Sequence, residues 1–195
     1  MMQTLEKLLK DVRACTLCDS ALSHGVRPVV QVSEQAQILI AGQAPGSKVH
    51  ATGIPFDDPS GNRLRDWMGI GKSEFYDPEK IAILPMGFCY PGKGKSGDLP
   101  PRAECAPAWR EQLLAQLPNL KLTLVIGQYA LKWHMPDAEE RNLTETVRNW
   151  RAYMDRGLLP LPHPSPRNNI WLKKNQWFEA DVVPALRGVI ESALG

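Results

Sequence analysis

The stretch Gln37-Ile38-Leu39-Ile40-Ala41-Gly42-Gln43-Ala44-Pro45-Gly46 contains a short apolar run that ends in a turn of glycine and proline. An apolar run bounded by glycine predicts a buried β-strand over residues 37–41. The G-x-x-P-G turn would then lie at the carboxyl end of a sheet, where open α/β sheets bind ligands. A second phrase, Gly53-Ile54-Pro55-Phe56, offers a ring that could stack on a flat ligand. Taken alone, the turn is more typical of an ordinary strand-to-helix connection.

Apolar strands alternate with amphipathic helices along the rest of the chain. Further strands are predicted at 81–86, 122–126 and 158–161. Helices are predicted at 4–13, after Ser60, at 102–117, from Gln128, and at 171–194 with a bend near Pro184. Residues 87–101 are expected to form a long loop. This alternation predicts an α/β fold, a three-layer α/β/α sandwich around a four-stranded parallel sheet.

Length and composition are those of an ordinary globular domain. The 195 residues fit a single domain over 1–195, expected to be a monomer, and 43% of them are apolar. No apolar run is long enough to span a membrane and the N-terminus lacks a signal-peptide pattern, so we expect a cytoplasmic protein. The net charge of +2 does not by itself indicate a nucleic-acid partner. Two local basic clusters are more informative: Lys93 with Lys95, and Arg167 with Lys173 and Lys174.

Four cysteines, Cys15, Cys18, Cys89 and Cys105, are candidates for a metal site. Disulfides are not expected in the cytoplasm. Unrelated thiols, or a redox-active C-x-x-C, are the plainer interpretations, although this C-x-x-C follows a predicted helix rather than a strand. Zinc and a [4Fe–4S] cluster both accept four cysteine ligands. The second pair is spaced too widely for a zinc ribbon or finger, which favours the cluster.

A second motif, Pro162-His163-Pro164-Ser165-Pro166-Arg167-Asn168-Asn169, follows the last predicted strand. Flanking prolines hold a loop histidine rigidly, so its ring can be aimed at a ligand. Because both motifs follow strands of one parallel sheet, we expect Phe56 and His163 to line opposite walls of a single slot. A lone loop histidine without a chemical role is the plainer alternative.

Together these motifs resemble the iron–sulfur uracil-DNA glycosylases of the family 4 type. That family has an N-terminal C-x-x-C and a later cysteine pair around a loop with proline and arginine, as Cys89 and Cys105 surround Pro100-Pro101-Arg102. Its first active-site motif is similar to residues 42–46, followed by a G-x-P-F phrase. Gly61 and Leu64 correspond to its small residue and helix leucine. The string H-P-S-P-R-N is similar to the single-strand-selective branch of the superfamily.

The resemblance implies an enzyme that flips uracil out of DNA and hydrolyses its N-glycosidic bond. The implied partner is DNA containing uracil or another deaminated base, and the implied cofactor is a structural [4Fe–4S] cluster on the four cysteines. His163 would donate a hydrogen bond to uracil O2, with Gln43 and His50 as further catalytic candidates. The candidate base contacts are Gln43, Ala44, Phe56, Met86, Gly87 and Asn169. The candidate DNA contacts are Arg167, which could enter the duplex or belong to a solvated basic loop, with Asn168, Lys93, Lys95, Lys173 and Lys174.

Two positions depart from the family pattern. Gln43 stands where the relatives have a carboxylate, so it could orient a water through its amide or lend its backbone N–H, but cannot act as a general base. His50 could position the water instead, or be a plain surface histidine, and Asp57 and Asp58 could help electrostatically. Pro85 stands where the relatives read uracil with an asparagine. Recognition would then fall to main-chain groups near Met86 and Gly87, or to Asn168 or Asn169.

These departures keep other functions open. The chain could bind damaged or abasic DNA without efficient turnover, or be an iron–sulfur or zinc protein of the same fold that does not bind DNA.

Overall fold

A parallel sheet forms the centre of the protein, whose computed structural model describes residues 3–138 and 142–195. The strands are β1 (Ile38–Ala41), β2 (Ile81–Ile83), β3 (Lys93–Gly94), β4 (Gly97–Asp98), β5 (Leu122–Ile126) and β6 (Leu158–Leu161). Four of them form the sheet in the order β2-β1-β5-β6, with every neighbouring pair parallel. The other two, β3 and β4, form a separate antiparallel hairpin.

Helices connect and cover these strands. They are α1 (Leu5–Arg13), α2 (Ser47–Thr52), α3 (Pro59–Met68), α4 (Lys72–Phe75), α5 (Cys105–Leu114), α6 (Gly127–His134), α7 (Leu143–Arg148), α8 (Arg151–Met154), α9 (Asn169–Lys174) and α10 (Val183–Leu194). Single turns of 3₁₀ helix occupy Asp19–Ala21, Pro136–Ala138 and Pro166–Asn168, and a π-helical turn occupies Phe178–Val182.

The residues of β1 alternate between two apolar cores, because successive side chains of a strand point to opposite faces. Ile38 and Ile40 pack with the buried side of α3 and α10. Leu39 packs in a second cluster with residues of α1 and α5. Helices therefore cover both faces of the sheet, and the predicted α/β fold around a four-stranded parallel sheet is confirmed.

Some predicted boundaries were wrong. The strand expected over 81–86 ends at Ile83, although the N–H groups of Leu84 and Met86 still donate to the Ile40 and Gly42 carbonyls at 3.0 and 2.9 Å. The helix expected over 171–194 is divided into α9, the π-helical turn and α10, and Pro184 lies in the first turn of α10, where an N–H is not needed. The loop expected over 87–101 contains the β3–β4 hairpin. Within the described residues, no helix combines the length and apolar character needed to cross a membrane.

Candidate active site

Both sequence motifs line one cavity of about 580 Å³ at the carboxyl edge of the sheet. The turn 42–46 leaves the end of β1, and His163 follows the end of β6. Because the strands are parallel, their carboxyl ends meet at this edge. Phe56 and His163 both contribute to the cavity wall. The structure therefore brings the aromatic ring and the imidazole to one space.

Phe56 has a backbone φ of +54°, in the left-handed region that bulky side chains rarely adopt. Such a conformation costs about 1–3 kcal/mol and persists only where the surroundings enforce it. Here Nη1 of Arg65 donates to the Phe56 carbonyl at 3.4 Å, and the Phe75 ring packs edge-on against the Phe56 ring at 6.0 Å between centroids. The ring end lies against Gly42, where a Cβ would be 3.6 Å from Cζ. Phe56 is thus held over the first motif.

His163 is oriented by its own loop. The Ser165 N–H donates to Nδ1 of His163 at 3.2 Å, and the Asn168 amide donates to the His163 carbonyl at 2.7 Å. Since Nδ1 accepts a hydrogen bond, the proton of the neutral ring lies on Nε2. Burial lowers the pKa of His163, an effect opposed by the nearby carboxylates of Asp58 and Asp98. The ring therefore presents a neutral Nε2–H as a hydrogen-bond donor.

The first motif is bonded to the segment after β2 through its main chain. Met86 N–H donates to the Gly42 carbonyl at 2.9 Å, and Gly87 N–H donates to the Gln43 carbonyl at 2.9 Å. Two donors expected to read the base are therefore already engaged within the protein. Gln43, Ala44 and Pro85 line the cavity itself. These three residues, rather than Met86 and Gly87, border the space that a ligand would enter.

A buried arginine supports Pro85 from behind. Arg110 is fully buried, and its Nη1 donates to the carbonyls of Leu84 and Pro85 at 2.9 and 3.1 Å. Its Nε also donates to Nε2 of His134 at 3.2 Å. Burial lowers the pKa of Arg110 to about 10 and, with the adjacent guanidinium charge, that of His134 to about 3. Sequence reasoning did not identify this pair, because an arginine in an amphipathic helix normally faces solvent.

The predicted site residues His50 and Asn169 lie outside the cavity wall. His50 forms a 3.1 Å contact from Nε2 to the His24 carbonyl, and its ring packs at 5.9 Å from that of Tyr90. Asn169 accepts a hydrogen bond at Oδ1 from Nη2 of Arg63 at 2.7 Å. Arg63 also donates to the Ser165 carbonyl at 3.1 Å, so it ties the second motif to α3.

The hairpin β3–β4 forms one wall of the cavity, which sequence reasoning did not predict. Ser96, Gly97 and Asp98 line the cavity together with both motifs. Arg167 of the second motif donates from Nη1 to the Ser96 carbonyl at 3.0 Å, which joins the hairpin to the loop of His163. In this structure the guanidinium of Arg167 thus contacts the hairpin.

Two carboxylates approach the first motif inside the cavity. A Cβ placed on Gly46 would lie 3.6 Å from Oδ2 of Asp98 and 4.0 Å from Oδ2 of Asp58. Asp58 also caps α3, since its Oδ1 accepts the Gly61 N–H at 2.8 Å. The cavity therefore combines a neutral imidazole donor with two negative charges near Gly46.

Exposed lysines lie on two segments that adjoin residues of the cavity wall. Lys93 and Lys95 belong to the hairpin, and Lys173 and Lys174 to α9, which follows the second motif. All four are exposed, as a phosphate contact requires.

All four cysteines are free thiols that line a second, small apolar cavity of about 20 Å³. The Trp109 Nε1–H donates to Sγ of Cys15 at 3.3 Å, and the Phe88 N–H donates to Sγ of Cys105 at 3.3 Å. Over residues 3–138 and 142–195, no group of three or more His, Cys, Asp or Glu side chains is arranged to hold a metal ion. The thiols are thus neighbours, but they do not form a closed ligand shell.

The chain matches a known protein family over most of its length. The family is the uracil DNA glycosylase superfamily, and the match extends over residues 29–187. That span includes β1 to β6, both motifs and the hairpin, and it is well over half of the chain. This protein therefore belongs to the uracil DNA glycosylase superfamily.

Proposed function

We propose that this protein is a DNA glycosylase that hydrolyses the N-glycosidic bond of uracil or another deaminated base. The observation that carries the proposal is the placement of Phe56 and His163 on the wall of one cavity of about 580 Å³. That space accommodates a single base. A base stacked in a duplex is out of reach, so the nucleotide must leave the helix to enter the cavity.

In this proposal Phe56 stacks on the everted ring, and His163 acts on the leaving base. As the bond from C1′ to N1 breaks, its electron pair moves into the base and negative charge grows on O2. The neutral Nε2–H of His163 stabilises that charge by a hydrogen bond. A preorganised donor of this kind contributes about 3 kcal/mol in the transition state. The low pKa of His163 supports this role, because the ring supplies a hydrogen bond without carrying a charge.

Gln43 is the group we propose to read the base edge. It lines the cavity, and its side chain carries both a carbonyl acceptor and an amide donor. An amide of this kind matches the N3–H and O4 of uracil, the pair that Pro85 cannot contact. Hypoxanthine presents a similar N–H and carbonyl, so selectivity between the two bases is a point for experiment.

We propose that Lys93, Lys95, Lys173 and Lys174 contact phosphates on either side of the everted nucleotide. Their exposure on the hairpin and on α9 supports this role. Arg167 and Asn168 would contact the DNA beside them, with Arg167 first releasing the Ser96 carbonyl if it enters the duplex. Contacts of this type set the register of the protein on DNA and carry no sequence information.

We also propose that Cys15, Cys18, Cys89 and Cys105 hold a [4Fe–4S] cluster, as in the family 4 type. The convergence of the four cysteines on one cavity supports this, because four cysteines are the ligand set such a cluster takes, although the described thiols are not arranged around a metal ion. When bound, it would cross-link the segment after α1 to the segment that leads into α5. About four iron atoms per chain and a broad visible absorption band are expected in protein purified without oxygen. Iron content that stays unchanged in a Cys89→Ser variant, or zinc in its place, would contradict the cluster.

The test of activity uses single- and double-stranded oligonucleotides that contain uracil, hypoxanthine or xanthine at one position. Purified holo-protein is expected to produce an abasic site, which alkali converts into a shorter fragment on a gel. His163→Ala should lower the single-turnover rate constant by about 10²–10³-fold while DNA binding is retained. No abasic product above the His163→Ala level on any substrate would contradict the proposal.

A second function is favoured by one specific observation, Gln43 in the place of a carboxylate. A protein without a water-activating group would bind damaged or abasic DNA and turn over slowly. It would give a stable gel shift on abasic DNA with no more than one product per protein molecule. Multiple turnovers would exclude this alternative.

A further inference from the structure

Hydrolysis of an N-glycosidic bond places demands on the protein that His163 does not meet. His163 stabilises the negative charge of the departing base, but the sugar becomes positively charged and the attacking water must lose a proton. A carboxylate meets both demands. In the first motif, Gln43 stands at the position where the relatives have a carboxylate, and an amide accepts no proton from water.

Asp98 lies at the right place in the cavity to supply that carboxylate. It belongs to β4 of the hairpin and lines the cavity together with Gly46 and His163. Its Oδ2 would lie 3.6 Å from a Cβ on Gly46, so the carboxylate stands directly over the first motif. The hairpin that carries it is fixed to the second motif by the 3.0 Å hydrogen bond from Arg167 to the Ser96 carbonyl.

The charge of Asp98 acts on groups around it. The carboxylates of Asp58 and Asp98 both act to raise the pKa of His163, whereas burial lowers it. Burial raises the pKa of the Tyr90 phenol, and Asp98 raises it further, both through its charge and by accepting a hydrogen bond from the phenol. Asp98 therefore stands close enough to influence both the His163 imidazole and the Tyr90 phenol.

Asp58, the other carboxylate near Gly46, is less available for this role. Its Oδ1 accepts the Gly61 N–H at 2.8 Å as the N-cap of α3. A group that must accept a proton during each reaction is poorly suited to a permanent cap, because protonation would weaken the cap. Asp98 lies in an exposed hairpin strand, where it can exchange a proton with solvent between reactions.

We propose that Asp98 is a catalytic residue, the carboxylate that receives the proton of the attacking water and stabilises the positive charge at C1′. This inference rests on the proposed glycosylase function. The C1′–N1 bond breaks and its electron pair leaves with the base. The water oxygen forms the new bond to C1′, and one water proton passes to a carboxylate oxygen of Asp98. The base anion takes up a proton from solvent, and Asp98 returns its proton to solvent.

The experiment compares the wild-type holo-protein with Asp98→Asn, Asp98→Ala, His163→Ala and Asp155→Asn in single-turnover base release from a uracil-containing single-stranded oligonucleotide. Asp155→Asn is the matched control, since Asp155 is exposed and precedes β6 at the opposite edge of the sheet. We expect Asp98→Asn to lower the rate constant at least about 100-fold. Binding of the same oligonucleotide and the melting temperature should stay close to those of Asp155→Asn. Added formate should restore part of the rate of Asp98→Ala and none of the rate of His163→Ala.

The failures of the two proposals are distinguishable. If the wild type releases uracil and His163→Ala does not, an Asp98→Asn rate within about threefold of the wild type overturns the role of Asp98 and leaves the glycosylase function standing. A slower Asp98→Asn that also melts earlier and binds DNA less well, with no formate effect on Asp98→Ala, assigns Asp98 a structural role and equally overturns the inference. A wild type that releases no base ends the proposed function, and the inference with it.

Discussion

Gly61 in α3 lies against the main chain of Phe56, so closely that a Cβ at this position would overlap the Phe56 carbonyl oxygen and stand 2.8 Å from the Phe56 Cβ. The absence of a side chain at Gly61 is therefore what allows Phe56 its left-handed backbone, with φ of +54°. Arg65, one turn later in α3, donates to the same carbonyl. The position of the Phe56 ring is thus set by a helix that follows it in the chain.

Gly61→Ala should displace Phe56. The added methyl group collides with backbone, which has little freedom to move, and overpacking of this kind costs about 1–3 kcal/mol of unfolding free energy. The rate constant of base release should fall by more than the loss of stability explains, because the Phe56 ring leaves the cavity wall. Denaturant unfolding and single-turnover rates provide the two measurements.

Gly188→Ala is the control for this variant. Gly188 lies within α10, and a Cβ there would meet no atom within 4 Å. Alanine in a helix interior stabilises by about 1 kcal/mol relative to glycine, so this variant should be slightly more stable and fully active. Equal effects of the two substitutions would contradict the role assigned to Gly61.

Stability should fall as the pH drops below about 6.5. The pKa of His134 is about 3 in the folded protein, because the residue is buried beside the Arg110 guanidinium. The unfolded chain therefore binds a proton that the folded protein excludes, and each such histidine lowers the unfolding free energy by up to about 1.4 kcal/mol per pH unit. His163, whose pKa is also lowered by burial, acts in the same direction.

Urea unfolding between pH 7 and pH 5 measures this slope. His134→Gln keeps an acceptor for Arg110 but does not titrate, so its slope should be shallower than that of the wild type. The range stops at pH 5 to leave out the ion pairs of Asp137 and Asp181. Their arginine partners lower the pKa values of these carboxylates, so their contributions to stability are lost only in more acidic solution. An identical slope in His134→Gln would show that the buried pair does not control the pH response.

Substitutions of Asp58 should show whether its N-cap hydrogen bond or its negative charge contributes to stability. Asp58→Ala removes the acceptor for the Gly61 N–H and should cost about 1 kcal/mol of stability. Asp58→Asn keeps a cap acceptor and should be nearly as stable as the wild type. Thermal unfolding of the two variants decides the point. A loss of stability in Asp58→Asn as large as in Asp58→Ala would mean that the charge, rather than the cap, matters.

Removing basic residues beside the cavity should weaken DNA binding without altering base preference. A Lys93→Ala, Lys95→Ala double variant should lower affinity alike for uracil-containing and normal DNA. The slope of log Kd against log salt concentration should decrease by about 1 for each of these lysines that binds a phosphate in the wild type. Lys80→Ala is the control, since Lys80 precedes β2 at the opposite edge of the sheet. A salt slope equal to that of Lys80→Ala would exclude phosphate binding by the hairpin lysines.

Local sequence patterns were enough to predict the four strands of the central sheet, the longer helices that cover them and the motifs that follow β1 and β6. The hairpin β3–β4 and the short helices α2, α4, α7 and α8 were not predicted. Apolar runs and helical spacing decide which residues are buried, so these features can be inferred one segment at a time. Parallel order then brings the ends of β1 and β6 to one edge, so the shared cavity of Phe56 and His163 was foreseeable.

The other groups of the site depend on tertiary contacts. Arg167 and Ser96 are 71 residues apart, yet their hydrogen bond places the hairpin, and Asp98 with it, at the cavity. The N–H groups of Met86 and Gly87 are engaged by the carbonyls of Gly42 and Gln43, a pairing that side-chain patterns do not reveal. Bonds of this kind join segments distant in the chain through main-chain atoms. Local composition therefore carries no signal of them, and they become visible only when the sheet brings the segments together.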